Sequence, residues 1–102
     1  MNIGKTIKEL RKRKGLSQQE LAKLTGISQT YISQLEKNAD RNPSVEILNK
    51  ISKALEIPYP ILAFLTLDNS DINEDKQEAF KQIKPAVNAL IKEFFLSEGI
   101  IP

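Results

Sequence analysis

Four uncharged polar side chains at helical spacing, Gln29, Thr30, Ser33 and Gln34, are the groups in this sequence best suited to reading another molecule. They lie in the stretch Ser28-Gln29-Thr30-Tyr31-Ile32-Ser33-Gln34-Leu35-Glu36. Read as a helix, Ile32 and Leu35 turn inward, with Ile27 just ahead of them, and the four polar residues turn outward. An exposed helix face normally carries Lys and Glu. A face of amides and hydroxyls instead matches base edges: Gln can bond an adenine at two atoms, and the Thr30 methyl can meet a thymine methyl. The stretch is therefore a candidate DNA recognition helix. Tyr31, beside the readers, either reaches a phosphate through its hydroxyl or packs inward. Taken alone, such a face is more often simply solvated, so the elements that would position it decide the matter.

The composition narrows the alternatives. The chain has 102 residues, 40% of them hydrophobic, which suffices for one small helical domain and an appendage. It contains neither Cys nor His. Thiolate zinc sites, disulfides and the usual nucleophile–base pairs are thus unavailable, and we expect neither an enzyme nor a bound metal or cofactor. A cysteine-free chain with no apolar run near the roughly 20 residues of a membrane span, and no signal-peptide core between Met1 and Leu10, suits a cytoplasmic protein. The net charge of +2 is unevenly spread: residues 1–66 hold 11 basic and 6 acidic residues, a net of +5, whereas residues 67–102 hold 4 and 7, a net of −3. A basic front and an acidic back suggest that the front meets a polyanion.

The positioning elements follow in order. Ile3, Ile7 and Leu10 form one helical stripe, followed by the basic cluster Arg11-Lys12-Arg13-Lys14 and a terminating Gly15. In Leu16-Ser17-Gln18-Gln19-Glu20-Leu21, Ser17 and Glu20 make a capping box, and Leu16 with Leu21 a hydrophobic staple. Leu21, Ala22 and Leu24 are expected to face inward, up to a left-handed turn at Gly26. Ser28 caps the next helix, so two short helices flank a turn of about three residues, the helix-turn-helix pattern. After the polar loop Lys37–Pro43, Ser44 caps a fourth helix with Val45, Leu48, Ile51 and Leu55 on one stripe. Residues 56–60 break it, and Ile61–Leu65 form a short apolar helix that closes the core.

From Ile3 to Leu65 the chain resembles the Cro/repressor-type helix-turn-helix domain of the XRE family of bacterial and phage regulators. The resemblance rests on Ile7-Lys8-Glu9-Leu10-Arg11, Gly15-Leu16-Ser17-Gln18-Gln19-Glu20-Leu21-Ala22, Gly26-Ile27-Ser28, Tyr31-Ile32-Ser33-Gln34-Leu35-Glu36, and Pro43-Ser44 through Leu55. It implies an all-α, five-helix lambda-repressor-like DNA-binding domain over residues 1–66. It also implies roles: Gln18 near a phosphate and bonded to Gln29; Gln29, Thr30 and Gln34 at base-reading positions, with Ser33 beside them; Lys37, Asn38, Arg41 and Asn42 on a phosphate-gripping loop; and an Arg11–Glu36 ion pair that serves folding. Two positions depart from the family pattern. Glu56 stands where Gly is common and Pro58 where Ser or Thr is common, which puts the turn before helix five in doubt. A left-handed residue at that turn would cost about 1 kcal/mol.

Beyond the domain, residues 67–73 read as a polar linker and residues 74–98 as a C-terminal amphipathic helix, ended by Gly99. Asp71 or Asn73 is placed to cap it. Phe80, Ile83, Val87, Leu90 and Phe94 are spaced 3, 4, 3, 4, a heptad seam widened by Ile91. Pro85 either kinks this helix or starts a second one. One helix-turn-helix module covers few base pairs, and operators normally bind two modules about one helical turn apart. We therefore expect a homodimer joined through this seam, acting as a transcriptional repressor on a double-stranded DNA operator. The alternatives are that the seam completes the monomer core, or that it grips another protein, as in an antitoxin or adaptor.

Overall fold

The computed structural model describes residues 2–37 and 42–95. Six α-helices follow one another, α1 (Ile3–Arg13), α2 (Gln18–Thr25), α3 (Gln29–Lys37), α4 (Val45–Leu55), α5 (Tyr59–Thr66) and α6 (Gln77–Phe95), and no strand occurs among the described residues. Two 3-10 turns, Asn69–Asp71 and Glu74–Lys76, lie between α5 and α6. The first five helices enclose one core, in which Ile7, Leu21, Ile32, Leu35, Ile51, Leu55 and Leu62 are fully buried. Each such side chain contributes on the order of 2 kcal/mol by leaving water.

Local chemistry sets the helix ends. Gly15 and Gly26 take positive φ, 73° and 75°, and turn the chain out of α1 and α2. Ser44 Oγ accepts from the Ile47 backbone N–H at 3.2 Å and starts α4. Glu56 is left-handed, φ 58° and ψ 39°, a conformation that glycine adopts freely and a side chain resists. An exposed ion pair joins Glu56 to Lys14. Its carboxyl pKa is lowered, chiefly by the hydrogen bond from Lys14. Two expected core residues lie outside: Leu24 is 60% exposed and Val45 58% exposed. Leu24 is the next-to-last residue of α2 and Val45 the first of α4, and at the end of α2 it is Thr25 that is buried.

The helices α1 and α3 meet at Gly4, a residue the hydrophobic pattern gives no reason to single out. It is buried, and a methyl group placed there would lie 2.1 Å from the Leu35 carbonyl oxygen and 3.3 Å from Glu36 Cα. Only glycine lets α3 approach this closely.

The expected linker is partly ordered by its own side chains. Asp68 accepts from the Ser70 backbone N–H, Asp71 accepts from the Asp68 backbone N–H at 2.9 Å, and the pair caps the first 3-10 turn. Neither Asp71 nor Asn73 caps α6 itself: Asn73 precedes the second 3-10 turn without a side-chain cap. Helix α6 is continuous through Pro85, so that residue does not start a second helix.

One face of α6 lies back on the domain. Phe80 stacks at a tilt on Phe64, with centroids 6.5 Å apart, and Ile91 is 5% exposed. Lys84 donates to the Leu67 carbonyl, with its ammonium 5.2 Å and 5.5 Å from the Phe64 and Phe80 ring centroids. Burial lowers the Lys84 pKa, while Asp68 and Asp71 pull the other way. The neighbouring face is bare: Ile83, Leu90 and Phe94 are 56%, 59% and 72% exposed, and Val87 is half-buried between the two faces.

Candidate nucleic-acid interface

The capping box holds the start of α2 as expected. The Glu20 backbone N–H donates to Ser17 Oγ at 3.0 Å, and the Ser17 backbone N–H donates to Glu20 Oε1 at 2.8 Å. The bond from the Ser17 backbone is also the main cause of a lowered Glu20 pKa. In the turn, Gly26 N–H closes on the Ala22 carbonyl at 2.9 Å. Thr25 adds a stitch that local pattern did not suggest. Its hydroxyl donates to the Leu21 carbonyl at 2.8 Å and accepts from the Ile27 backbone N–H at 3.2 Å. Ser28 Oγ then accepts from the Tyr31 backbone N–H at 3.0 Å and opens α3. These bonds hold the ends of α2 and α3 without drawing on Gln29, Thr30, Ser33 or Gln34.

Gln18, Gln29, Thr30, Ser33 and Gln34 line one shallow cleft of about 280 Å³. Gln29, Thr30 and Gln34 are exposed and Ser33 is half-buried. The structure thus brings together the base-reading candidates from α3 and the first residue of α2. Tyr31 is half-buried and its ring packs against the core. Lys37 at the end of α3 and Asn42 beyond it are exposed. Asn38 and Arg41, the other two loop residues expected to grip phosphate, lie outside the described residues, as does the expected helix stop at Gly99.

Behind the cleft lies a buried polar network. Arg11 Nε donates to Glu36 Oε2 at 2.8 Å and its Nη2 donates to Oε1 at 3.0 Å, a two-pronged pair whose side chains are 9% and 2% exposed. Arg11 Nη1 donates to the Leu16 carbonyl at 2.6 Å. The hydrogen bond to Glu36 raises the Arg11 pKa further above its ordinary value, so the guanidinium stays charged. Gln18 Nε2 donates to Glu36 Oε1 at 3.0 Å. The expected Gln18–Gln29 bond is therefore replaced by a Gln18–Glu36 bond. A carboxylate accepts more strongly than an amide oxygen, and Glu36 lies within reach of the Gln18 amide. One carboxylate thereby ties together α1, the start of α2 and the end of α3. Gln29 keeps its amide for the solvent side.

The six candidates on α6 divide between its two faces. Phe80 and Ile91 are used within the monomer, whereas Ile83, Leu90 and Phe94 are presented to solvent, with Val87 at the border. No helix among the described residues is long and apolar enough to cross a membrane.

Comparison with known proteins agrees with this geometry. The helix-turn-helix family model matches residues 7–62, more than half of the chain. The transcriptional regulator SinR of Bacillus subtilis (strain 168) is 44% identical over 55 residues, which is 54% of this chain and 50% of SinR. The chain thus spans about half the length of that relative. The immunity repressor protein of Bacillus phage phi105 is 30% identical over 102 residues, covering 98% of this chain and 69% of the repressor. Among solved structures, the restriction-modification controller protein C.AhdI from Aeromonas hydrophila is 38% identical. It covers 60% of this chain and 91% of that one, with a TM-score of 0.56. A chain of the SinR/SinI protein complex is 30% identical over 85% of this chain and 98% of that one, also with a TM-score of 0.56. With the helix-turn-helix built as described and the match extending through the five-helix domain, the chain belongs to the XRE-type helix-turn-helix family of DNA-binding transcriptional regulators.

Proposed function

We propose that this protein is a dimeric repressor that reads a DNA operator in the major groove through α3. The observation that carries the reading is the cleft shared by Gln18, Gln29, Thr30, Ser33 and Gln34: uncharged donors and acceptors, held on a rigid frame, with none of the frame's own bonds taken from Gln29 or Gln34. In this reading Gln29, Thr30 and Gln34 contact base edges, each good pair discriminating by roughly 1–3 kcal/mol. Ser33 and Ser28 line the approach, and Gln18 stands at the α2 N-terminus, where free backbone N–H groups suit a phosphate. Lys37, Asn38, Arg41 and Asn42 supply sequence-blind contact to the backbone. Occupying the promoter would then block transcription. The bare face of α6 joins two copies, which gives the pair of modules that an operator requires.

A second reading keeps the DNA-binding front and gives the bare face of α6 to another protein, as in an antitoxin or adaptor. It is favoured by the similarity to the SinR chain, which is solved in complex with SinI.

Selection of bound sites from random DNA tests the first reading. The expected product is a short palindrome with half-sites about one helical turn apart. Gln29→Ala and Gln34→Ala should each weaken binding to that site about 5- to 150-fold while leaving binding to random DNA unchanged. Equal loss on both DNAs would remove these residues from base reading.

A further inference from the structure

The bare face of α6 carries a second pattern, one that appears only once the domain-facing residues are set aside. Lys76, Ala79, Ile83, Ala86, Leu90 and Glu93 follow one another at spacings of 3, 4, 3, 4 and 3, starting from the 3-10 turn that leads into α6. All six are exposed. They form one continuous heptad seam, displaced from the seam through Phe80 because the domain occupies that side of the helix. Its order is charge, small, large, small, large, opposite charge.

This order is directional. In a parallel pair each residue meets its own copy. Lys76 would face Lys76 and Glu93 would face Glu93, and the Ala79 and Ala86 layers would leave gaps between the Ile83 and Leu90 layers. In an antiparallel pair centred between Lys84 and Pro85, every layer is complementary. Ile83 meets Ala86, Leu90 meets Ala79, and Lys76 meets Glu93, each twice across the dyad. Large side chains then fall on small ones, which allows close helix approach at good packing density. Neither Lys76 nor Glu93 is engaged in an ion pair among the described residues, so both charges are available. Pro85 points to the side of α6 opposite the seam, where its missing N–H and the freed Lys81 carbonyl disturb nothing in the interface. Val87 and Phe94 flank the seam on its domain side and extend the apolar surface.

We propose that the occupant of this face is a second copy of the chain, bound with its α6 antiparallel to the first in this register. The inference rests on the proposed dimer and adds its orientation. Because the sequence contains no cysteine, reporters are unambiguous. Sedimentation of the unmodified protein comes first: a dimer is expected, and a monomer at all concentrations tested overturns the dimer and this orientation together. Ala79→Cys and Leu90→Cys proteins are then oxidised separately and as a mixture. In the antiparallel register, like positions lie about 16 Å apart along the axis, beyond disulfide reach, so only the mixture cross-links. Cross-linking of each protein with itself overturns the orientation and leaves the dimer standing, and no cross-link in any sample removes this seam from the interface. A second set avoids the apolar layers. Lys76→Glu and Glu93→Lys should each weaken the dimer on the order of tenfold, and both changes in one chain should restore it. Failure of the double variant to restore the dimer also overturns the register.

Discussion

Replacing Gly4 by Ala pits two physical effects of opposite sign against each other. Helix propensity alone favours alanine in α1 by about 1 kcal/mol. For a domain of this size that would raise Tm by roughly 4–8 °C. Packing argues the reverse. The new Cβ would lie 2.1 Å from the Leu35 carbonyl oxygen, more than an ångström inside ordinary contact, and 3.1 Å from its carbon. Both obstacles are backbone atoms of α3, which cannot swing aside as a side chain can. Relief requires α1 and α3 to separate, and that strains the Arg11–Glu36 bonds between them. Overpacking of this kind costs about 3 kcal/mol, at the upper end for a single methyl group. The net expectation is a loss of about 2 kcal/mol and a Tm lower by roughly 8–16 °C. Thermal and urea melts followed by circular dichroism measure it directly. An unchanged or raised Tm for Gly4→Ala would refute the close approach of α1 to α3 on which α3 is seated.

Two further substitutions probe the frame behind the cleft. Arg11→Met leaves the Glu36 carboxylate buried with Gln18 as its remaining partner, and should cost about 3–5 kcal/mol in urea melts. The double variant Arg11→Met/Glu36→Leu should recover a large part of that loss, because it removes the stranded charge; no recovery would mean that the pair acts through packing alone. At the left-handed turn after α4, Glu56→Gly should raise Tm by a few degrees, since it removes the steric conflict of a side chain at φ 58°. Lys14→Ala serves as the control: it breaks the same exposed ion pair without touching the turn, and a matching change in Tm would move the effect from backbone to charge.

What could be read from the sequence was local. The Ser17–Glu20 capping box, the turn at Gly26 and the caps at Ser28 and Ser44 are decided by residues within four positions of each other, so their chemistry is visible in the string of letters. Leu24 and Val45 were misplaced because periodicity gives a helix its apolar side but not where the core ends along its axis. Gln18 was assigned to Gln29 by family likeness. Its bond to Glu36 is a contact across 18 positions that depends on the depth at which the carboxylate is seated. Gly4 carried no signal beyond being a glycine in a helix, because what it accommodates is the backbone of a distant element. On α6 the apolar content was legible, but its division between domain and solvent was not. Phe80 and Lys84 choose the inner face through Phe64 and Leu67, which pattern alone does not connect to them.

That division bears on how such a protein must bind DNA. A recognition face made only of amides and hydroxyls discriminates among bases but attracts the polyanion weakly, since long-range affinity comes from cations that release counterions. The basic residues of the front half must supply it, and they lie off α3, apart from Lys37 at its end. A single domain of this kind therefore separates specificity from affinity and is modest in each. Duplicating it raises both at once, provided the two reading helices are held at a fixed spacing. A helix that is latched to its own domain on one face and free on the next meets that requirement. The latch of Phe80 and Lys84 on Phe64 and Leu67 holds α6 against the domain that carries α3, so in the proposed dimer a contact on the bare face would set the position of the proposed reading face as well. Were α6 joined by a flexible linker instead, pairing would raise the local concentration of modules without setting the distance between them.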